Sequence, residues 1–157
     1  NDMVVMERFD LTELILGVIQ SSSILLEQKR IHLTFHTDQP MYVWADEFKV
    51  EEVMTNYLSN AIHHTEELGR IDIKYTQMED YVRISVFNTG RQIPKEDLER
   101  IWIKFYKVDK ARTREYGGSG IGLSIVKAIM DSFHRSCGVI NHTDGVEFWF
   151  ELDTKSN

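Results

Sequence analysis

The sequence predicts an α/β two-layer sandwich (α+β), a mixed sheet covered on one face by three helices. Two observations carry that prediction. Amphipathic helical patterns recur three times, near residues 11–29, 46–65 and 120–133. Between and after them lie five or more short segments that alternate apolar and polar residues, as half-buried strands do.

The elements follow in order. Asp10 can cap the first helix, with Glu13 as its reciprocal partner three residues on. Leu11, Leu14, Ile15, Val18, Leu25 and Leu26 then keep one apolar face to about Lys29. IHLTFHT alternates, with Ile31, Leu33 and Phe35 on one side, and after Pro40 comes a short strand, MYVWA. Asp46 starts a second helix that reaches about Thr65. Its core stripe is Val50, Val53, Met54, Tyr57, Leu58, Ala61 and Ile62. RIDIKYT and YVRISVF read as a hairpin joined around Gln77–Asp80. From Asn88 to Gly118 the pattern weakens, apart from a short helix after Pro94. That stretch exceeds the roughly 12–15 residues of an ordinary connection, which marks it as functional or disordered. A third helix runs from about Gly120 to Phe133, with Ile125, Val126, Ile129 and Phe133 inward. GVIN, the turn HTDG and GVEFWFEL close the chain as a second hairpin, signalled by Asp144-Gly145.

Composition narrows the function. The 157 residues, 42% hydrophobic, form one domain with a real core. A net charge of −7 argues against nonspecific binding to nucleic acid or an acidic membrane. Cys137 is the only cysteine, so there is no internal disulfide framework, which fits an intracellular setting. No apolar run approaches the ~20 residues that span a bilayer, and no signal peptide opens the chain. NDMVVMERFD begins abruptly, as an excised domain would.

Three stretches concentrate chemistry. YGGSGIGLS, Tyr116 to Ser124, is a glycine-rich turn opening a helix, which aims unpaired N–H groups at one point and suits an anion. A P-loop needs Lys-Ser/Thr after the last glycine, where Leu123 stands, and the dinucleotide fingerprint fails at the same residue. On the second helix, Glu52, Asn56, Asn60 and His63 fall within a wedge of about 80° beside the core stripe. That wedge is either a polar flank wet by solvent or a set of oxygen ligands for a hard cation. In VFNTGRQIP a strand ends at Asn88 over a glycine turn, placed to read a ligand edge or simply to turn the chain. Lys104, Lys107, Lys110, Arg112 and Arg114 follow, with Trp102, Phe105 and Tyr106. They either meet phosphates or form a solvated basic surface.

The order of these stretches resembles the ATP-binding catalytic domain of bacterial sensor histidine kinases, in the superfamily shared with DNA gyrase, Hsp90 and MutL. NYLSNAIHHT looks like its N box, VFNTGRQIP its G1 box, IWIKFYKVD its F box and GGSGIGLSIV its G2 box. ERFDLTELI resembles the segment after the phosphoacceptor helices. The resemblance implies a Bergerat-type fold over 10–153, with 1–9 left from the linker and 154–157 a tail.

It also implies roles. Asn60 would ligate Mg²⁺, and Asn56 would help organise the metal, its water or the phosphates. Lys107 would join these two as the catalytic set. Asn88 would face the adenine amine, with Gly90 giving the ring room. The segment from Arg91 to about Gly117 would be the ATP lid, anchored by Phe105. Gly118, Gly120 and Gly122 would hold the triphosphate through backbone amides. His63, Ile93, Tyr106, Ser119, Ile121 and Leu123 complete the implied nucleotide site.

Three positions depart from the family pattern. Asn88 stands where aspartate is usual, Gln92 where D-x-G-x-G has its second glycine, and His63 where lysine commonly contacts a phosphate. A neutral acceptor in place of a charged one weakens ATP binding by about 1 kcal/mol.

The implied activity is transfer of the γ-phosphoryl of Mg²⁺–ATP to a histidine on a separate helical dimerisation module, within two-component signalling. None of the six histidines here lies in an acceptor sequence. The implied partners are therefore the chain's own phosphoacceptor helices, in a full-length homodimer, and a response regulator. The implied location is the cytoplasmic side of a membrane-anchored kinase, with this domain outside the membrane. A degenerate nucleotide-binding or docking module without phosphotransfer is the alternative. Hydrolysis as in gyrase or Hsp90 is disfavoured, because those enzymes carry a glutamate base where Asn56 stands.

Overall fold

The computed structural model describes residues 3–106 and 122–156. The described strands are β1 (Glu7–Asp10), β2 (His32–Phe35), β3 (Tyr42–Ala45), β4 (Arg70–Gln77), β5 (Tyr81–Thr89), β6 (Cys137–His142) and β7 (Gly145–Asp153). The described α-helices are α1 (Leu11–Ser21), α2 (Ser23–Gln28), α3 (Glu47–His64) and α4 (Gly122–Ser132). The strands form one sheet in the order β1-β3-β7-β5-β4-β2, with β6 also paired to β7. β2 runs parallel to β4 and the other described pairs are antiparallel, so the sheet is mixed as expected.

Register puts the apolar residues on one face. Ile73 pairs with Val86 and Val86 with Phe148, and likewise Ile84 with Phe150, so these side chains share a side. Ile71, Ile73, Val82, Ile84, Val86, Val146, Phe148, Phe150 and Leu152 are all at most 2% exposed. Leu11 and Ile15 of α1, Val53 and Tyr57 of α3, and Val126 and Met130 of α4 bury against them. α3 is the middle helix, packed against both α1 and α4.

The opposite face is polar and aromatic. There the Arg83 guanidinium lies 3.6 Å over the Trp149 ring. Glu151, 7% exposed, is held by Arg83 at 2.7 Å and Arg135 at 3.2 Å.

Two elements depart from the expected pattern, one for a local reason and one through pairing. The helix expected from Leu11 to about Lys29 breaks at Ser22, between α1 and α2. Three consecutive serines, Ser21 to Ser23, occupy the break, and serine competes with the helical backbone for hydrogen bonds. β1 was not foreseen, because ERFD shows no alternation and only Phe9 of its four residues is buried. Its pairing with β3 brings residues 7–9, expected as linker, into the sheet. The short helix after Pro94 takes the form of two 3₁₀ turns, Lys95–Asp97 and Arg100–Trp102.

Asp10 caps α1 as predicted and Asp46, expected to start α3, caps it; each does a second job. Asp10 accepts from Thr12 N at 3.0 Å and from Met41 N at 3.1 Å. Asp46 accepts from Lys49 N at 3.3 Å and, through its other oxygen, from Val5 N at 2.9 Å.

Candidate functional site

α3 carries a row of polar side chains spaced one turn apart: Asn56, Asn60 and His64. At one end, Asn56 donates from Nδ2 to the Glu52 carbonyl at 2.9 Å, which turns its Oδ1 toward α4. A Cβ on Gly122 would lie 2.8 Å from that oxygen, so glycine lets the start of α4 approach Asn56 closely. At the other end, His64 Nε2 lies 2.8 Å from the Arg91 carbonyl, and its ring flanks Gly90. Asn60 sits between these ends at 2% exposure, and neither of its amide atoms has a partner among the described residues. An unpaired buried amide costs roughly 1–3 kcal/mol, so its retention asks for a reason outside the bare fold.

A second orphan ends β5. Asn88 continues the row Val82, Ile84, Val86 on the helix-covered face, flanked by Ile71 and Val146. It is 0% exposed, with Nδ2 donating to the Thr89 carbonyl at 3.1 Å and Oδ1 without a partner among the described residues. The strand end is tied to the end of α3, because the Thr65 hydroxyl donates to that same carbonyl at 2.7 Å. Gly90 then takes φ +143°, which only glycine adopts freely.

The chain beyond the strand is zipped to the β6–β7 hairpin. Gly90 N donates to the Asp144 carbonyl at 3.1 Å, and Gln92 Nε2 to the His142 carbonyl at 2.7 Å. Asn141 pairs with Ile93 at both ends, accepting from its N–H at 3.0 Å and donating to its carbonyl at 2.9 Å. Ile93 is thereby held at 1% exposure. Gln92, out of pattern for a G1 box, has a structural task in this loop.

The remaining expected residues divide. Leu123 is buried in the core, and His63 is exposed in the last turn of α3. Tyr106 donates to the Asp97 carboxylate, which raises the phenol above its usual range. Phe105, expected as the lid anchor, is 65% exposed at φ 67°. The apolar footing of this segment comes instead from Ile101, 5% exposed, and from Trp102, edge-on to Phe148 at 5.9 Å. Lys107, Gly118, Ser119, Gly120 and Ile121 lie outside the described residues.

Sequence reasoning missed His64, Thr65 and Asn141. His64 was legible as the i+4 neighbour of Asn60, whereas Asn141 acts across 48 residues and left no local signal.

A sequence profile of the histidine kinase-, DNA gyrase B- and HSP90-like ATPases matches residues 45–156. The chain belongs to that ATPase family. The match runs from the end of β3 through β7 and includes both orphaned asparagines. The sensor histidine kinase WalK of Bacillus subtilis (strain 168) is 32% identical over 146 residues, 84% of this chain and 24% of WalK. The nucleotide-free catalytic domain of the histidine kinase ThkA has a TM-score of 0.85 at 34% identity, covering 96% of this chain and 98% of that one. ThkA in complex with the response regulator TrrA gives 0.82 at 32% identity, over 97% of this chain and 42% of that one. The fold is thus that of histidine kinase catalytic domains. The chain spans about a quarter of the length of the curated relatives it matches. No helix among the described residues is long and apolar enough to cross a membrane.

Proposed function

We propose that this ATPase-family domain binds Mg²⁺–ATP and delivers the γ-phosphoryl group to a histidine on a separate helical dimerisation module. The observation that carries the reading is the pair of buried asparagines, Asn60 and Asn88, with amide atoms unpaired among the described residues. A ligand that spans from a base to a metal-bound triphosphate satisfies both. Asn88 Oδ1 accepts from the adenine amine at the end of β5. Asn60 Oδ1 is a single hard donor, so a cation there takes its other ligands from water and phosphate, as Mg²⁺ does, with Asn56 beside it. When bound, Mg²⁺ neutralises charge developing on the phosphates. The protein's own contribution is to position: Asn141 and Gln92 hold the base loop, Asn56 and Gly122 set the approach of α4 to α3, and buried Ile93 and Leu123 exclude water.

An amide at Asn56 cannot take a proton from water, which favours transfer to a supplied nucleophile over hydrolysis. The acceptor helices of the full-length homodimer, a cognate response regulator and a cytoplasmic-facing position complete the proposal. ThkA, solved with its response regulator, supports the second of these by likeness. The test is phosphotransfer in trans. Incubated with γ-labelled ATP, the domain alone stays unlabelled, and it labels its acceptor helices when these are added as a separate chain. Binding of ATP with no labelling of those helices would instead identify a docking module.

A further inference from the structure

Scattered apolar side chains on a surface are ordinary, whereas a cluster of them marks a contact. α3 opens on such a cluster. Phe48, in its first turn, is 84% exposed, and Met3 at 82% and Val5 at 59% line the same groove. The groove measures about 400 Å³. One wall is the segment before β1, fixed in place because Val5 N donates to Asp46 Oδ2 at 2.9 Å and Glu7 pairs with Ala45. The other wall is the beginning of α3.

The helix joins this groove to the proposed phosphate end of the site. Phe48, Glu52, Asn56 and Asn60 follow at four-residue steps, a ridge that winds around α3. Exposure falls along it, from Phe48 in solvent through Glu52 and Asn56 to Asn60 at 2%. Phe48 and Asn56 are two turns apart, roughly 12 Å along the axis. A helix is itself roughly 10–12 Å across, so one that presents a nucleophile beside Asn56 reaches the groove as well.

Charge and size decide which occupant fits. Glu7 and Glu52 rim the groove with the capping Asp46, against the single amine of Lys49. That favours a partner with lysine or arginine beside its apolar residues over a second copy of a domain whose net charge is −7. Even at roughly 150–250 Å² each, the range for an aromatic side chain, three residues stay below the roughly 800 Å² per partner of a lasting interface. The face suits a helix that docks and leaves.

We infer that Met3, Val5 and Phe48 form a docking surface for the phosphoacceptor helix, which meets them with apolar residues about two turns from its histidine, flanked by basic ones. This deepens the proposed transfer to a separate module and rests on it.

The experiment measures labelling of the acceptor helices in trans, against their concentration, by wild type, Phe48→Ala and Ile24→Ala. Ile24 is also exposed, at 68%, but lies on α2, which leads through Lys29 to the opposite end of α3. Phe48→Ala is expected to raise KM for the helices about tenfold, as truncating an apolar anchor does, with kcat and ATP affinity within about twofold of wild type. Ile24→Ala should match wild type, and added salt should raise the wild-type KM by screening the acidic rim. Because Phe48 stands in solvent, its truncation leaves the core intact. A Phe48→Ala domain with the wild-type KM overturns the inference, as does an equal effect from Ile24→Ala. So does a wild-type domain that self-associates in sedimentation and becomes monomeric with Phe48→Ala, which gives the face to a second copy. Failure of the underlying reading looks different: wild type itself binds ATP and labels no helices, and the inference falls with it.

Discussion

Asn60 carries a conflict between stability and binding within one side chain. Its two amide atoms are buried and unpaired among the described residues, a burden of roughly 1–3 kcal/mol on the domain without ligand. Leucine has the same four-heavy-atom side chain branched at Cγ and no polar atom to satisfy. Asn60→Leu is therefore expected to raise the unfolding midpoint of the ligand-free domain while removing the Mg²⁺ dependence of ATP binding. Thermal unfolding and calorimetry with and without Mg²⁺ check the two halves. A variant less stable than wild type would show that the amide has a partner after all, and retained Mg²⁺ dependence would remove Asn60 from the metal site.

At the scale of elements, the end of α3 matters most, because it carries His64 and Thr65 to the strand end. Its last carbonyls lack intrahelical partners, and Lys29, following α2, supplies them. Lys29 Nζ donates to the Ile62 carbonyl at 2.7 Å and the Thr65 carbonyl at 2.5 Å. Burial lowers the amine below its usual range, partly offset by Glu66. Lys29→Met keeps the aliphatic stem and removes the donors. A loss of about 1.5–3 kcal/mol is expected, read from urea unfolding with an unchanged slope. Nucleotide affinity should fall with it, since Thr65 loses the support that holds it beside Thr89.

The whole molecule separates its two tasks by sheet face. The helix-covered face carries Asn88, whereas the other face carries Glu151 between Arg83 and Arg135. Replacing one partner of a half-buried charge cluster leaves two guanidinium groups without their shared carboxylate. Glu151→Gln is expected to destabilise by roughly 1–3 kcal/mol and to leave ATP affinity within about twofold. Denaturant unfolding and ATP titration of the same preparation test the separation. A large drop in affinity at preserved folding would mean that strain on one face reaches the other.

Much of this was legible in the chain. Alternation and helical periodicity are local properties set by which residues can face a core, so the two hairpins, α3 with its start at Asp46, and the α/β class could be read directly. The wedge of Asn56 and Asn60 was legible for the same reason, since helix geometry alone places residues four apart on one side. Other features needed the folded backbone. β1 gains its strand conformation from β3, and ERFD has no pattern of its own. Phe105 was expected as an anchor, yet it is exposed while its neighbours Ile101 and Trp102 pack on the core, a choice made by packing rather than residue type. Asn88 was visible as a polar strand end, but the tie of that end to α3, through the Thr65 hydroxyl and the Thr89 carbonyl, forms only when α3 and β5 close on one another. Composition and spacing determined what this domain could be. Hydrogen bonds between residues far apart in the chain, such as Asn141 to Ile93 and Thr65 to Thr89, form only once the elements pack, and they decided how its site is set.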